Sequence, residues 1–163
     1  MLFKYNHFIK ESKSRKEIED ICHKYFIYGY TINEDGSIDV EGNVELASKR
    51  LEKIPLNFRH VSGSFYCESN RELSSLEGCP ETVGGNFHCF YTNIKTLEGG
   101  PKTVGDYYGA SNNKLISLEG GPNEVGGAFL CYKNELVSLV GGPKKVGGSY
   151  RCTDNKLTSL VGA

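Results

Sequence analysis

The six cysteines and four histidines of this sequence are the side chains that could hold a metal ion or act as nucleophiles. No two cysteines form a CxxC pair, which argues against a compact thiolate metal site. Cys22-His23 is an adjacent thiol and imidazole, but Cys22 falls on the apolar side of a predicted helix, where core packing is its expected role. Metal-ligand spacing is also absent among the histidines, which are His7, His23, His60 and His88. We therefore predict no catalytic residues, no metal and no cofactor.

Other enzyme motifs are missing as well. No Ser or Cys nucleophile motif occurs, and the Gly-Gly pairs lack the GxGxxG or GxxxxGK context of a phosphate-binding loop. The 163 residues carry 19 basic and 20 acidic side chains, a formal net charge of −1, so the chain has no general attraction to nucleic acid or to an anionic membrane. No apolar run approaches the roughly 18 residues of a membrane span. We predict a soluble, non-enzymatic protein of a reducing compartment.

The sequence repeats itself with a period of 21 or 22 residues. The segment that begins at Val125 reads VGGAFLCYKNELVSLVGGP. The same pattern begins at Val61, Val83, Val104 and Val146, with a degraded copy at Val40. A short fixed period is typical of a solenoid. The predicted domains are an N-terminal cap at 1–39 and six coils at 40–60, 61–82, 83–103, 104–124, 125–145 and 146–163.

Each copy predicts one short strand, an asparagine turn and an irregular arc that carries two leucine or isoleucine positions. Along the strand, large and small inward side chains alternate, as the packing of a narrow core requires. The large column is Val44, Phe65, Phe87, Tyr108, Phe129 and Tyr150. The small column is Leu46, Cys67, Cys89, Ala110, Cys131 and Cys152, and we expect its four thiols to be free and buried. The turn asparagines are expected to bond backbone groups of their own and the next coil.

The residues before the coils predict a cap. A solenoid needs an atypical terminal unit to cover its open apolar face. A capping box from Ser14 to Glu17 begins an amphipathic helix, and Asp35-Gly36 between two alternating segments indicates a β-hairpin. A further short helix is suggested by spaced apolar residues at Leu2, Phe3, Tyr5, Phe8 and Ile9.

The repeat resembles leucine-rich repeats. Gly127 to Leu136, GAFLCYKNEL, is similar to the pattern LxLxxNxL, and the short period resembles the repeats of bacterial secreted effectors. Tyr30 to Gly42, followed by copies of LTSLEGxPxxVGGxFxC, resembles leucine-rich-repeat-like proteins of tailed phages. The resemblance implies an α/β repeat, namely a short leucine-rich-repeat-like solenoid with a parallel β-sheet on its concave face and a helical plus hairpin cap.

That family likeness also implies a function. The fold serves mainly as a binding surface, so we predict a protein–protein interaction module, phage-encoded and acting in the cytoplasm of the bacterial host cell, where it would inhibit a host defence or regulatory complex. A virion structural or assembly component is the alternative. Another protein is the expected partner, whereas a membrane and nucleic acid are not.

Two groups of residues are candidate contact sites. Aromatic side chains with a few charges are typical of interface cores, although strands favour Tyr and Phe in any case. The predicted protein-binding residues on the concave face are Tyr66, His88, Phe90, Tyr91, Tyr107, Leu130, Tyr132, Lys133 and Arg151. The last copy has no return segment, and its apolar residues Leu157, Leu160 and Val161 predict a self-association edge that would make a homodimer. Covering of this edge by a partner protein and fraying of the last coil are the alternatives.

Overall fold

The computed structural model describes residues 13–162, which form one short helix followed by a parallel β-solenoid of about five turns. The predicted solenoid is therefore confirmed. The first predicted helix, with Leu2 to Ile9, lies outside the described residues. Every coil in the described part returns through turns and irregular backbone, and no second helix occurs there.

The helix α1 spans Arg15–Lys24 and begins at the predicted capping box. The Ser14 hydroxyl accepts a hydrogen bond from the Glu17 amide, and the Glu17 carboxylate accepts one from the Ser14 amide at 2.7 Å. This exchange satisfies amide groups that the first helical turn leaves unpaired. Ile18 and Cys22 are buried against the first coil, so α1 covers that end of the core.

A β-hairpin joins the helix to the coils. Strands β1 (Tyr30–Ile32) and β2 (Ile38–Val40) pair antiparallel, and the Asp35 carboxylate accepts a hydrogen bond from the Ser37 amide at 2.9 Å between them. Strand β2 then pairs in parallel with the strand of the next coil, Phe58–Val61. The hairpin therefore belongs to the cap and also supplies the first strands of the solenoid sheet. The predicted domain boundary between residues 39 and 40 falls inside β2.

Each coil contributes two short strands to two separate parallel sheets. The valine sheet consists, after β1 and β2, of β4 (Phe58–Val61), β6 (Thr82–Val83), β8 (Thr103–Val104), β10 (Glu124–Val125) and β12 (Lys145–Val146). The aromatic sheet consists of β3 (Val44–Glu45), β5 (Phe65–Tyr66), β7 (Phe87–His88), β9 (Tyr108–Gly109), β11 (Phe129–Leu130) and β13 (Tyr150–Arg151). The prediction of one strand per coil and a single parallel sheet was therefore wrong, because the valine that opens each repeat belongs to a strand of a second sheet.

The register of the aromatic sheet confirms the predicted core column. Phe65 pairs with Phe87, Phe87 with Tyr108, and Tyr108 with Phe129. Ring centroids along this column lie 4.9 to 5.9 Å apart, and four of the rings are fully buried. Close packing of these rings, one strand spacing apart, contributes buried apolar surface along the narrow core. The final ring of the column, Tyr150, is only partly buried.

The turn asparagines bond the coil before them. The Asn134 amide donates to the carbonyl groups of Ala110 and Cys131, each at 3.0 Å, and its oxygen accepts from the Leu115 amide at 3.0 Å. Two of these three partners belong to the preceding coil, so the expected direction towards the next coil was wrong. Thr92 replaces the asparagine in one coil, and its hydroxyl is 3.0 Å from the Cys89 carbonyl oxygen.

Candidate protein-binding face

The outer face of the aromatic sheet carries the side chains that alternate with the buried ring column. In β5 and β7 the first residue is buried and the second is only partly buried, as expected for a strand with one solvent-facing side. Strand pairing aligns the outer residues across the coils in one column, namely Glu45, Tyr66, His88, Gly109, Leu130 and Arg151. Two residues further along each strand, the same alternation and coil spacing predict a second outer column containing Glu68, Phe90, Ser111 and Tyr132.

Four of the predicted binding residues form a continuous chain of ring contacts. Tyr66 and His88 have ring centroids 5.1 Å apart, and His88 and Phe90 also lie 5.1 Å apart. Phe90 in turn meets Tyr91 edge-to-face at 5.8 Å, and Tyr91 is 50% exposed. Such offset and edge-to-face geometries are the favourable arrangements of aromatic rings. The result is a partly exposed aromatic cluster, Tyr66–His88–Phe90–Tyr91.

The next coil interrupts the predicted row of binding residues. Gly109 is buried because the rings of Phe90 and His88 lie over it; a Cβ atom placed there would come within 3.2 and 3.3 Å of them. Ser111 is also buried. Tyr107, at 46% exposure, is the large outer side chain of this coil. The remaining predicted residues lie beyond this gap, with Leu130 and Tyr132 half-buried and Lys133 and Arg151 exposed.

In each coil, a residue with left-handed backbone conformation follows the strand of the aromatic sheet. Tyr91 and Lys133 occupy this position. Six of the non-glycine residues with positive φ, one in each coil, have values of 54–59°, namely Ser48, Ser69, Tyr91, Asn112, Lys133 and Asp154. This conformation costs an ordinary side chain on the order of 1 kcal/mol, and it turns the chain so that the following residue can enter the core. In four of the six coils that residue is the turn asparagine.

Charge is distributed unevenly along the face. Glu45 and Glu68 lie at the end nearest α1, and Arg151 lies at the opposite end. Burial lowers the pKa of His88, so its imidazole is neutral at pH 7. Burial raises the pKa of the Glu68 carboxyl, Glu45 raises it further, and only the amide of Glu68 itself opposes the shift. Glu68 Oε2 is inaccessible to solvent and has no hydrogen-bond partner among residues 13–162.

Glu68→Gln is expected to stabilise the protein at pH 7.5 but not at pH 3.5. A carboxyl whose pKa is raised in the folded state binds protons more tightly there, so the free energy of unfolding falls as pH rises from the ordinary value of 4.5 through the raised one. Denaturant midpoints of both chains measured across this range check the prediction. The matched control is Glu72→Gln on the exposed turn, and an equal gain from that change would contradict it.

Some residues of interest were not predicted from the sequence. Glu68 and Ser111 were predicted to point outward, but their residue types gave no indication that each would have a buried polar atom without a hydrogen-bond partner. Three exposed aliphatic side chains, Ile116, Val137 and Val140, lie on the arcs of the coils. The sequence signal for them was an apolar residue at positions where other coils have Ser74, Lys95 or Glu98. Of the predicted self-association edge, Leu157 packs partly against the core, whereas Leu160 and Val161 are exposed. Self-association itself stays a prediction.

The cysteines are all free thiols. Burial raises the pKa of Cys131 to about 12 and that of Cys22 to about 11, so neither forms a reactive thiolate at neutral pH. Burial raises the pKa of the Cys79 thiol, which lies outside the inward column, and the neighbouring Cys67 raises it further. Across residues 13–162, no group of three or more His, Cys, Asp or Glu side chains is arranged to hold a metal ion.

In the described part of the chain, no helix has both the length and the apolar character needed to cross a membrane. Comparison with protein-family models, curated proteins and solved structures found no match to this chain.

Proposed function

We propose that this chain is a non-enzymatic protein-interaction module that binds its partner through the outer face of the aromatic sheet. The observation that carries the proposal is the cluster Tyr66–His88–Phe90–Tyr91, whose rings contact one another on a face that remains open to solvent. Aromatic side chains that are partly exposed and already ordered are the typical anchors of protein interfaces.

The cluster is not needed to fill the core. A separate column of buried rings, from Phe65 to Phe129, already occupies the space between the two sheets. The outer rings therefore contribute apolar surface that folding alone does not require. Within the cluster Tyr91 is 50% exposed, and Tyr107 in the next coil adds a further aromatic ring that is 46% exposed. Exposed apolar area of this kind is favourable when a partner covers it.

The biological setting of the proposal comes from the sequence resemblance. A phage-encoded protein in the bacterial cytoplasm would use this face to bind and inhibit a host defence or regulatory complex. A virion structural or assembly role is the second candidate, and it uses the same face. The two differ in the partner, which would be a host complex in the first case and a capsid or tail subunit in the second.

Affinity capture with matched tyrosine variants tests the binding face. Tagged wild-type chain and the variants Tyr107→Ala, Tyr132→Ala and Tyr28→Ala are used on lysate of the cells in which the protein is naturally made. Tyr28 is more exposed than Tyr107 and Tyr132 and lies in the cap, away from the aromatic sheet, which makes it the control. We expect Tyr107→Ala and Tyr132→Ala to reduce the amount of co-purified partner about tenfold, the typical effect of losing an interface tyrosine.

The outcome distinguishes the proposals. Equal capture by all four chains, with each shown to be folded by circular dichroism, would exclude the aromatic sheet as the contact surface. A host complex recovered in a fixed ratio supports inhibition or regulation, whereas capsid or tail chains support the virion role.

A further inference from the structure

We infer that a basic pocket between helix α1 and the first coil binds an acidic segment of a partner protein. The pocket has a volume of about 460 Å³. It is lined by one carboxylate, that of Glu52, and by five cationic side chains, namely Lys13, Lys24, Lys49, Arg50 and Lys53. None of these residues belongs to the predicted binding face of the aromatic sheet. The inference therefore adds a second contact surface, and it rests on the proposed function only in taking a protein as the partner.

The pocket concentrates positive charge in a chain whose formal net charge is only −1. Five of the 19 basic side chains line it. The pocket beside the hairpin shows the contrast, because its two cations, Lys13 and Arg15, are accompanied by Glu34 and Asp35. Within residues 13–162, none of the five cations of the basic pocket forms an ion pair. Like charges grouped around a concave surface attract a ligand of the opposite charge.

The first coil presents two of these cations in a way that no later coil repeats. Lys49 stands where the later coils carry the turn asparagine or Thr92, and unlike those residues it is exposed. Arg50 has a left-handed backbone with a φ of 57°, whereas the residues at its position in the other five coils do not. A bulky side chain adopts this conformation at a cost in free energy, and strain of this kind is concentrated at functional sites.

The backbone on both sides of Arg50 is held in place by the second coil. The side-chain oxygen of Asn70 accepts hydrogen bonds from the amides of Lys49 and Leu51, each at 3.0 Å. Asn70 itself is fully buried. The Lys49 and Arg50 side chains therefore start from a fixed backbone, and a ligand that binds them has little main chain left to order.

The apolar part of the lining favours a peptide over a simple anion. Ile21 and Tyr25 of α1 and Leu51 of the coil supply this apolar surface, and all three belong to the core or pack against it. The Lys24 ammonium lies 5.2 Å from the centre of the Tyr25 ring, which places a cation directly beside the apolar surface. An inorganic anion would leave that surface uncovered, whereas an acidic peptide offers an apolar side chain together with several carboxylates. An apolar centre with charged groups around it is the usual anatomy of a protein interface.

A titration of the full-length, ¹⁵N-labelled chain with capped pentapeptides tests the inference. The probe is DELED. The comparison peptides are NQLQN, which has the same shape without the charges, and DESED, which lacks the apolar side chain. We expect saturable shifts of the Lys49, Arg50 and Leu51 amides with DELED, weaker binding of DESED and no binding of NQLQN. This comparison uses the unchanged chain, so it decides the question independently of any variant.

Paired substitutions show whether the pocket is the binding site. Lys49→Gln together with Arg50→Gln should weaken DELED binding by about tenfold or more, because each change removes a charged hydrogen-bond donor. The Asn70 hydrogen bonds use backbone amides, so this chain should keep its fold, and its denaturant midpoint checks that. The matched control is Lys114→Gln together with Lys144→Gln, two exposed charges of later coils. It should change binding by less than about twofold, since distant charges are screened by salt.

The readouts separate this inference from the proposed function. Equal binding of NQLQN and DELED, or unchanged binding by the folded Lys49 and Arg50 variant, would overturn the acidic-peptide site. Inorganic phosphate or a single-stranded oligonucleotide that bound as tightly as DELED would also overturn it, by showing a general anion site. If DELED did not bind but partner capture still depended on Tyr107, the aromatic-sheet face would stand and only the basic pocket would fall. Binding of DELED without any such dependence on Tyr107 would support the pocket and exclude the face.

Discussion

Gly105→Ala is expected to lower the free energy of unfolding by about 3 kcal/mol or more, and the melting temperature by roughly 6–12 °C. A Cβ atom at Gly105 would lie less than 3.0 Å from the carbonyl oxygen of Gly84 in the preceding coil, a separation that real Cβ atoms essentially never show. The backbone cannot move away, because hydrogen bonds hold it on both sides. The Gly105 amide donates to the Val83 carbonyl and the Gly126 amide donates to the Val104 carbonyl, each at 2.9 Å. Chemical denaturation of both chains measures the loss.

The neighbouring position provides the control for this change. Asp106 occupies the place of a second glycine found in other coils, and its side chain is exposed. Asp106→Ala should therefore change stability by less than about 0.5 kcal/mol, as surface substitutions usually do. If Gly105→Ala changed the free energy of unfolding as little as Asp106→Ala, the close backbone stacking of Gly84, Gly105 and Gly126 would be wrong.

Asn70→Ala is expected to cost about 3 kcal/mol, because it leaves several buried backbone groups without partners. The Asn70 amide donates to the carbonyl groups of Leu46 and Cys67 at 2.9 Å. Its oxygen accepts from the amides of Lys49 and Leu51 at 3.0 Å. The side chain is fully buried, so water cannot replace these four bonds. Equilibrium unfolding in urea gives the difference.

Two further variants make the asparagine prediction specific. Asn70→Thr imitates Thr92 and keeps a hydroxyl near the carbonyl of the residue three positions earlier, so it should cost less than the alanine change. Asn123 is exposed on a turn, and Asn123→Ala retains the backbone carbonyl that accepts from Lys144 and Lys145. If Asn123→Ala lowered the free energy of unfolding as much as Asn70→Ala, the loss of the Asn70 side-chain hydrogen bonds could not be the cause.

The sequence predicted the stacking of coils well because one side chain recurs at a fixed spacing. Phe87, Tyr108 and Phe129 fall in one column in the alignment of the repeats, and the register places them in one column in space. The second sheet was missed because each repeat contributes to it only one inward valine, with no second inward position beside it. Val104 with one flanking residue gives no alternation for a pattern to detect.

The candidate site was predictable only in part. Alternation along the strands identified the outward positions of Tyr66 and His88, which the structure brings into contact. It did not indicate that the rings of His88 and Phe90, both from the preceding coil, would lie over Gly109 and interrupt the row of exposed aromatic residues. The left-handed backbone at Tyr91 and Lys133 could not be predicted from those residue types either, since bulky side chains rarely adopt it.

The direction of the asparagine bonds gives the solenoid a polarity. The carbonyl of Cys131 and the amide of Leu136 are satisfied by Asn155, which follows them by 24 and 19 residues. A turn of the chain is therefore completed by a side chain that the ribosome adds about one repeat later. During synthesis, a turn that is followed by such an asparagine reaches its native closure only about one period after its own translation. A chain interrupted before that point leaves the turn with unmet backbone groups.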